Sequence, residues 1–319
     1  MLPEIPAAPT YRLCTLNGKD IYVKRDDLLP FSFGGNKARK ARLFFEDILN
    51  SGADSVVTYG SGSSNHCRVV ANLAAANGMP CTVISPRESD RDTFNAQLIH
   101  GFGAGIRLCP VADVARTIED ELDRMREAGR RPYFIPGGGH GNLGTEAYVR
   151  CAEEIAEYES SNGIAFDRIF FASGTGTTQA GLVCGSWLLG RPWRVHGISI
   201  ARKNPRGGDI VLASVKEYLK EKNVCFDPES IAKAVHFDDR FTDAGYGASS
   251  AYAAECIRTV MRSYGLPLDE TYTGKAFFAM TQIFAEEIAG GEGRPETVLF
   301  VHTGGTPLFF DFLLNQTGR

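Results

Sequence analysis

The sequence has few of the features that mark secreted, membrane-bound or nucleic-acid-binding proteins. No apolar run approaches the ~20 residues that a transmembrane helix needs, and the first residues, MLPEIPAAPTYRL, lack the basic and apolar regions of a signal peptide. The net charge of −4 is too small to indicate nucleic acid or an anionic membrane as a partner. We therefore expect a cytoplasmic protein that binds small molecules.

Clustered cysteines are also absent. The eight cysteines form no CxxC or CxxxC pair, so the sequence shows no metal site. Several lie in apolar runs, such as Cys81 in PCTVIS and Cys184 in GLVCGSW, where a free thiol packs as a small hydrophobic group. This pattern predicts reduced, mostly buried cysteines, as expected in the cytoplasm.

Short apolar runs such as VVTYG and IFFAS alternate with stretches of helical composition. We predict helices at 36–51, 65–77, 111–128, 143–160, 178–189 and 271–289. This alternation is typical of an α/β fold with a mostly parallel sheet flanked by helices, and 319 residues are enough for two lobes. Residues 202–243 are polar and the least regular, and we expect an irregular excursion there on the substrate side.

Glycine-rich turns follow three of the apolar runs. GSGSSN follows VVTYG, SGTGTT follows IFFA, and TGG follows LFVH. Ligands of open α/β sheets collect where strands end and helices begin, so the three turns predict one common site.

The segment SFGGNKARK, residues 32–40, predicts the start of a helix. Asn36 is a candidate N-cap, which places Lys37 where the helix dipole disfavours an ammonium ion and favours a nucleophilic amine. Arg39 and Lys40 are expected on other faces of the helix. From these residues alone, a solvated basic helix start is the favoured interpretation.

Two further motifs carry polar groups that suit a ligand. The turn from Gly174 to Thr178 offers backbone N–H groups and hydroxyls to a phosphate monoester, although a simple glycine turn is an alternative. It is neither a Walker loop nor GxGxxG, because Gln179 replaces the third glycine. Ser64, Asn65 and His66 present a hydroxyl, an amide and an imidazole; a Ser–His hydrolase is conceivable, but the GxSxG elbow is absent.

Six motifs occur in a characteristic order between about residues 23 and 310: SFGGNKARK, GSGSSNH, SGTGTTQAG, DAGYG, TYTGKA and HTGG. Together they resemble the tryptophan-synthase-β-like (fold type II) pyridoxal-phosphate enzymes, specifically the family of D-cysteine desulfhydrase and 1-aminocyclopropane-1-carboxylate (ACC) deaminase. The resemblance implies pyridoxal 5'-phosphate as cofactor and a homodimer. It also implies a large domain, residues 1–47 plus 158–319, and a small domain, residues 48–157, each with a mostly parallel twisted sheet flanked by helices.

The resemblance also implies roles for individual residues. Lys37 matches the lysine that binds the cofactor as a Schiff base, Asn65 the neighbour of its 3'-oxygen, and Thr303 the partner of its pyridine nitrogen. The implied phosphate loop consists of Gly174, Thr175, Gly176, Thr177 and Thr178. The implied substrate-binding residues are Ser64, Asn65, His66, Tyr246 and Tyr272, of which Ser64, Tyr246 and Tyr272 join Lys37 in catalysis.

Two positions depart from the family pattern. ACC deaminases carry glutamate in a YEGK segment, where this chain has Thr273, and a hydroxyl cannot act as counter-ion to a protonated pyridine. We therefore expect β-elimination from D-cysteine or another β-substituted amino acid, ahead of ACC deamination, β-replacement, racemisation or non-enzymatic binding of a phosphoryl ligand. Ser63 and Cys67, beside the substrate motif, also differ from many relatives and leave the substrate's identity open.

Overall fold

Two β-sheets organise the chain in the computed structural model, which describes residues 2–242, 245, 247 and 250–317. The strands are β1 (Thr10–Leu16), β2 (Lys19–Arg25), β3 (Ser55–Tyr59), β4 (Cys81–Pro86), β5 (Gly105–Cys109), β6 (Pro132–Ile135), β7 (Arg168–Ser173), β8 (Arg194–Ser199), β9 (His236–Asp238) and β10 (Thr297–His302).

Helices cover the sheets. The described α-helices are α1 (Asn36–Ser51), α2 (Asn65–Ala76), α3 (Phe94–Gly101), α4 (Val114–Glu127), α5 (Asn142–Asn162), α6 (Thr177–Leu188), α7 (Arg206–Glu221), α8 (Pro228–Ala234), α9 (Ala251–Tyr264), α10 (Thr273–Ala289) and α11 (Thr306–Thr317).

The larger sheet has the order β1-β2-β10-β7-β8-β9. Only β1 is antiparallel to its neighbour among these described strands. Every residue of β7, RIFFAS, is buried. Ile169 and Phe171 face α5, α6 and α7, whereas Phe170 faces α9 and α10. Burial on both faces explains why this strand reads as a continuous apolar run.

The smaller sheet, β5-β4-β3-β6, is parallel throughout. Val56 packs on one face in a core that includes residues of α1, α2 and α3. Val57 packs on the other face, against α4. The first helix therefore carries Lys37 at its start and anchors its apolar side in the core of the smaller sheet.

The predicted fold class is confirmed, since both sheets are mostly parallel and flanked by helices. The expected irregular excursion at 202–243 is wrong, because α7, α8 and β9 occupy most of it. Val211, Val215 and Leu219 recur every four residues and bury one face of α7 within a polar stretch. The domain boundaries at 48 and 157 stay a prediction; α5 crosses position 157 and packs in the same core as β7.

The sequence predicts that the cysteines are reduced and mostly buried, and that no helix spans a membrane. All eight cysteines are free, and five of them are buried, whereas Cys225 is exposed. Among the described helices, none contains a stretch apolar and long enough to cross a bilayer.

Candidate active site

The three glycine turns converge on one cleft between the sheets. Its narrow end is lined by Asn36, Lys37, Asn65, Ala172, Gly174, Thr175, Gly176, Thr178, Tyr272, Thr303 and Gly304. An adjoining cavity of about 620 Å³ shares Lys37, Gly174, Thr175 and Tyr272 with that wall and opens towards solvent. Its size lies within the range of small-molecule sites.

Lys37 lies in the first turn of α1, but the expected N-cap is one residue off. Gly35, not Asn36, is the N-cap, with φ 86° and no side-chain bond. The Asn36 backbone N–H instead donates to the Thr303 carbonyl (2.9 Å), and its side chain donates to Thr178 Oγ1 (3.1 Å). A Cβ on Gly35 would stand 2.7 Å from the Thr303 oxygen, so glycine permits this close approach of two loops.

The Lys37 amine faces the wide part of the cleft. Its Nζ donates to the Gly138 carbonyl oxygen over 2.9 Å. Burial lowers the pKa of Lys37 to about 8. At pH 7 about a tenth of this amine is therefore uncharged, far more than for an ordinary lysine, and the uncharged form is the one that a nucleophile or base requires.

Lys40 lies beside Lys37, and the expectation that it falls on another face is wrong. Residues three apart on a helix are neighbours. Lys40 is 1% exposed and its Nζ donates to Thr177 Oγ1 over 2.7 Å. Burial, reinforced by the nearby Lys37, holds the pKa of Lys40 well below its usual range. No carboxylate of the described residues forms an ion pair with it.

The turn at 174–178 forms one wall of the narrow end of the cleft. Helix α6 begins at Thr177 after the N-cap Gly176, so its first N–H groups have no acceptor within the helix and its positive dipole end faces the cleft. Four of the five predicted phosphate residues line the narrow end. Thr177 is the exception, because its hydroxyl binds Lys40 and lies 3.4 Å from the Gly139 carbonyl. Arg202 donates to the Gly174 carbonyl over 3.0 Å.

Ser64 and His66 line the wide part of the cleft. Ser64 is the N-cap of α2, and its Oγ accepts the Cys67 N–H over 3.3 Å, which leaves its hydroxyl proton available to a ligand. His66 Nε2 is 2.8 Å from Thr58 Oγ1, whose own proton goes to a carbonyl oxygen. The imidazole therefore donates through Nε2, and burial lowers its pKa well below the usual range. Its buried Nδ1 has no partner among the described residues.

Tyr272 and Thr273 are neighbours in sequence, but the first lies at the cleft and the second in the protein interior. Tyr272 lines both parts of the cleft. Thr273 is fully buried, and its hydroxyl donates to Asp269 Oδ2 over 2.7 Å. Asp269 also accepts the N–H groups of residues 271–273, so it holds the start of α10. Thr303 lines the narrow end. The predicted Tyr246 lies outside the described residues.

Sequence reasoning assigned no role to Lys275. This side chain is 1% exposed and donates to the carbonyl oxygens of Ile200 (3.3 Å), Thr242 (3.1 Å) and Gly245 (2.8 Å). It ties the loop before position 246 to α10. A lone lysine in the apolar stretch GKAFFAM was the available signal, because such a charge needs internal partners.

Known proteins resemble this chain over nearly its whole length. The family model described as pyridoxal-phosphate dependent enzyme matches residues 3–304. A D-cysteine desulfhydrase of Serratia proteamaculans (strain 568) is 32% identical over 316 residues, which cover 96% of this chain and 93% of that protein. A putative 1-aminocyclopropane-1-carboxylate deaminase of Pyrococcus furiosus is 32% identical over 304 residues, covering 95% of this chain and 89% of that protein.

Solved structures of related proteins have the same fold. The crystal structure of an ACC deaminase homologue superposes with a TM-score of 0.85 at 31% identity, covering 98% of this chain and 94% of that chain. An O-ureido-L-serine synthase, at 16% identity and a TM-score of 0.65 over 97% and 92% of the two chains, shares the fold alone. The predicted family, fold type and cofactor are confirmed. The chain belongs to the fold type II pyridoxal-phosphate dependent enzymes, in the family of D-cysteine desulfhydrase and ACC deaminase.

Proposed function

We propose that the chain is a lyase that performs α,β-elimination on a β-substituted amino acid such as D-cysteine. With water, D-cysteine would give pyruvate, ammonia and sulfide. One observation carries the proposal: the described wall of the narrow end contains no carboxylate, and Thr303 is part of that wall.

The residues of the cleft fit the cofactor. Lys37, a buried amine of lowered pKa, lines the same narrow end as Gly176 and Thr178 at the start of α6, so one ligand that carries a carbonyl carbon and a phosphate could contact both. A Cβ on Gly138 would lie 2.6 Å from Thr175 and 3.3 Å from Lys37 Nζ, and its absence leaves room there. Lys37 would hold the cofactor covalently, the 174–178 turn its phosphate, and Asn65 and Thr303 the polar atoms of its ring.

Lys37 is the base that we assign to the reaction. Pyridoxal phosphate supplies an electron sink that acidifies the α-hydrogen of an amine-bound substrate. A base is most effective when its pKa lies near the working pH, and burial brings Lys37 to about 8. Its Nζ lies at the junction of the two parts of the cleft, where an α-carbon can approach it.

Ser64 and Tyr272 are the candidates to handle the leaving group. Both line the cleft, and the N-cap bond of Ser64 uses its oxygen as an acceptor and leaves the hydroxyl proton available. His66 is held neutral, and its ring lies at the wall of the same cavity. We keep Tyr246 as a proposed partner on the basis of its motif.

Elimination of a good leaving group fits this electrostatic setting better than ring opening does. A hydroxyl partner leaves a pyridine nitrogen neutral and the electron sink weak. Thr273 does not compensate, because its hydroxyl is committed to Asp269. ACC deamination remains the second candidate, since a relative of that name is 32% identical. Replacement and racemisation rest on likeness of fold at 14–16% identity.

The test is a substrate panel. The purified protein is incubated with D- and L-cysteine, other β-substituted alanines and ACC, while keto acid and released nucleophile are measured. Pyruvate together with sulfide or another released β-substituent supports the proposal. α-Ketobutyrate from ACC without pyruvate from the alanines would establish deamination instead. A new amino acid formed only when thiols are added, with no keto acid, would establish β-replacement.

A further inference from the structure

Arg68, in the first turns of α2, is a buried cation without a counter-ion among the described residues. The side chain is 1% exposed, and none of the ion pairs in the described part of the chain includes it. Its Nε has no hydrogen-bond partner among the described residues. The guanidinium lies 5.8 Å from the ring centre of Phe33. Such a group is costly to bury, so its position calls for a physical reason.

Its contacts are two amide oxygens. Nη1 donates to Asn65 Oδ1 over 2.7 Å and to Asn95 Oδ1 over 2.8 Å. Because a guanidinium has donors and no acceptor, it fixes both amides with their oxygens turned towards it. Asn95, fully buried, then directs its Nδ2 to the Ser63 carbonyl (2.8 Å) and to Asn65 Oδ1 (3.0 Å).

The consequence falls on Asn65, which lines the narrow end of the cleft. Its Oδ1 receives two donors, Arg68 and Asn95, which fill both acceptor positions of an amide oxygen. The Nδ2 group is therefore the part of the amide that is left to face a ligand, as a donor only. The Arg68 guanidinium on the other side of this amide carries a full positive charge near neutral pH, since burial lowers its pKa only to about 10. A donor backed by a cation selects an anionic oxygen.

We propose that Arg68 is a positioning residue which, through Asn65 and Asn95, presents the Asn65 amide as a fixed donor to an anionic ring oxygen of the cofactor. Its buried charge stabilises the cofactor form in which that oxygen is ionised. The inference rests on the proposed placement of the cofactor between Lys37 and Asn65.

Two variants separate the charge of Arg68 from its geometry. Arg68→Gln removes the charge, and its amide can turn either way. Arg68→Lys keeps the charge, but an ammonium on a flexible stem does not hold two amides in one plane. Arg116→Gln, on the exposed face of α4, is the matched control, because its side chain is 82% exposed.

The measurements are the visible spectrum of the lysine-bound cofactor against pH and the affinity of the protein for the cofactor. A cation beside the ring oxygen favours the deprotonated chromophore, so its removal raises the pH midpoint of the spectral transition. For Arg68→Gln we expect a rise of roughly one pH unit, a tenfold change in proton affinity. For Arg68→Lys we expect a midpoint near that of the unchanged protein and an affinity lower by roughly 3- to 10-fold.

The outcomes that overturn the inference are separate from those that overturn the proposed function. A folded Arg68→Gln protein whose midpoint matches that of Arg116→Gln contradicts it. If Arg68→Gln does not fold, an unchanged cofactor affinity in Arg68→Lys contradicts it equally. Loss of elimination activity in the substrate panel, with these spectral shifts intact, would refute the function alone.

Discussion

Lys40→Met should have opposite effects on the protein with and without its cofactor. Lys40 is buried beside the 174–178 turn, donates to Thr177, and its Nζ lies 5.8 Å from the ring centre of Tyr148. Methionine has a similar length, packs well in irregular apolar spaces and carries no charge. The substitution therefore removes the ammonium group while leaving the volume nearly unchanged.

The expected changes in cofactor affinity and in stability follow from the burial of Lys40 without an ion-pair partner among the described residues. A hydrogen-bonded cation near a phosphate contributes about 1.5–3 kcal/mol, so the cofactor should bind roughly 10- to 150-fold more weakly. In the cofactor-free protein the same amine is buried, and no carboxylate of the described residues pairs with it. Removing it relieves more than the roughly 1 kcal/mol lost with the Thr177 hydrogen bond. We expect the free energy of unfolding to rise by about 1 kcal/mol at pH 7.

The gain in stability should depend on pH. The pKa of Lys40 is lowered in the folded protein, so the unfolded chain binds more protons than the folded one between that lowered value and the ordinary lysine value of about 10.4. The cost of the buried charge is complete below the lowered pKa, and it is relieved as the pH rises towards 10.4. The advantage of methionine should therefore be present at pH 7 and small near pH 10.

Denaturant unfolding of the cofactor-free protein at both pH values and cofactor titration at pH 7 test this. Lys220→Met is the control, because Lys220 is exposed on α7. A cofactor affinity within twofold of the unchanged protein would show that Lys40 does not serve the phosphate. A loss of stability at pH 7 larger than at pH 10 would refute the reasoning about the buried charge.

Three further predictions concern other parts of the chain. The variant Lys37→Ala should lose the visible absorbance of the lysine-bound cofactor, while the far-ultraviolet circular dichroism of the protein stays unchanged. Retained absorbance would contradict the assignment of this lysine. Asp26→Asn should lower the free energy of unfolding at pH 7 by about 3 kcal/mol, because Asp26 accepts two N–H groups of Arg39 at 2.9–3.0 Å. Arg39 also lowers the pKa of Asp26 against the effect of burial, so this stabilisation is present above about pH 4 and disappears as the pH falls further. In native protein, a thiol reagent should label Cys225 first, since it is exposed, whereas burial raises the pKa of Cys67 to about 12; rapid labelling of Cys67 would contradict that burial.

Local patterns predicted the parts of the site that depend on neighbours in sequence. Gly176 and the residues after it form a helix start because glycine permits its positive φ and the following residues begin an apolar helix. Lys37 lies at the start of α1 for a similar reason, although the cap is Gly35. The buried run of β7 was readable because a strand covered on both faces has no polar side.

The remainder depends on the packing of distant segments. Lys40 and Arg68 look in the sequence like surface residues of helix starts, and only the packing of α1 and α2 shows that both are buried. The same holds for Thr273, whose hydroxyl turns to Asp269 because Asp269 holds the start of α10. A sequence pattern gives the type of each group, but the direction of a side chain depends on contacts made elsewhere in the fold.

The pattern of buried charge predicts the charge of the ligand. Away from the cleft, two large buried cations are paired with carboxylates: Arg39 with Asp26, and Arg168 with Glu287. Around the cleft, Lys40 and Arg68 have no carboxylate partner within the described residues, although burial makes such charges costly. A ligand with anionic groups would supply a counter-charge at these two separate points. Lys40 lies at the loop that suits a phosphate, and Arg68 lies behind the Asn65 amide that suits an ionised ring oxygen. A neutral ligand would leave both charges uncompensated, so these two cations independently favour a ligand that carries anionic groups at both ends.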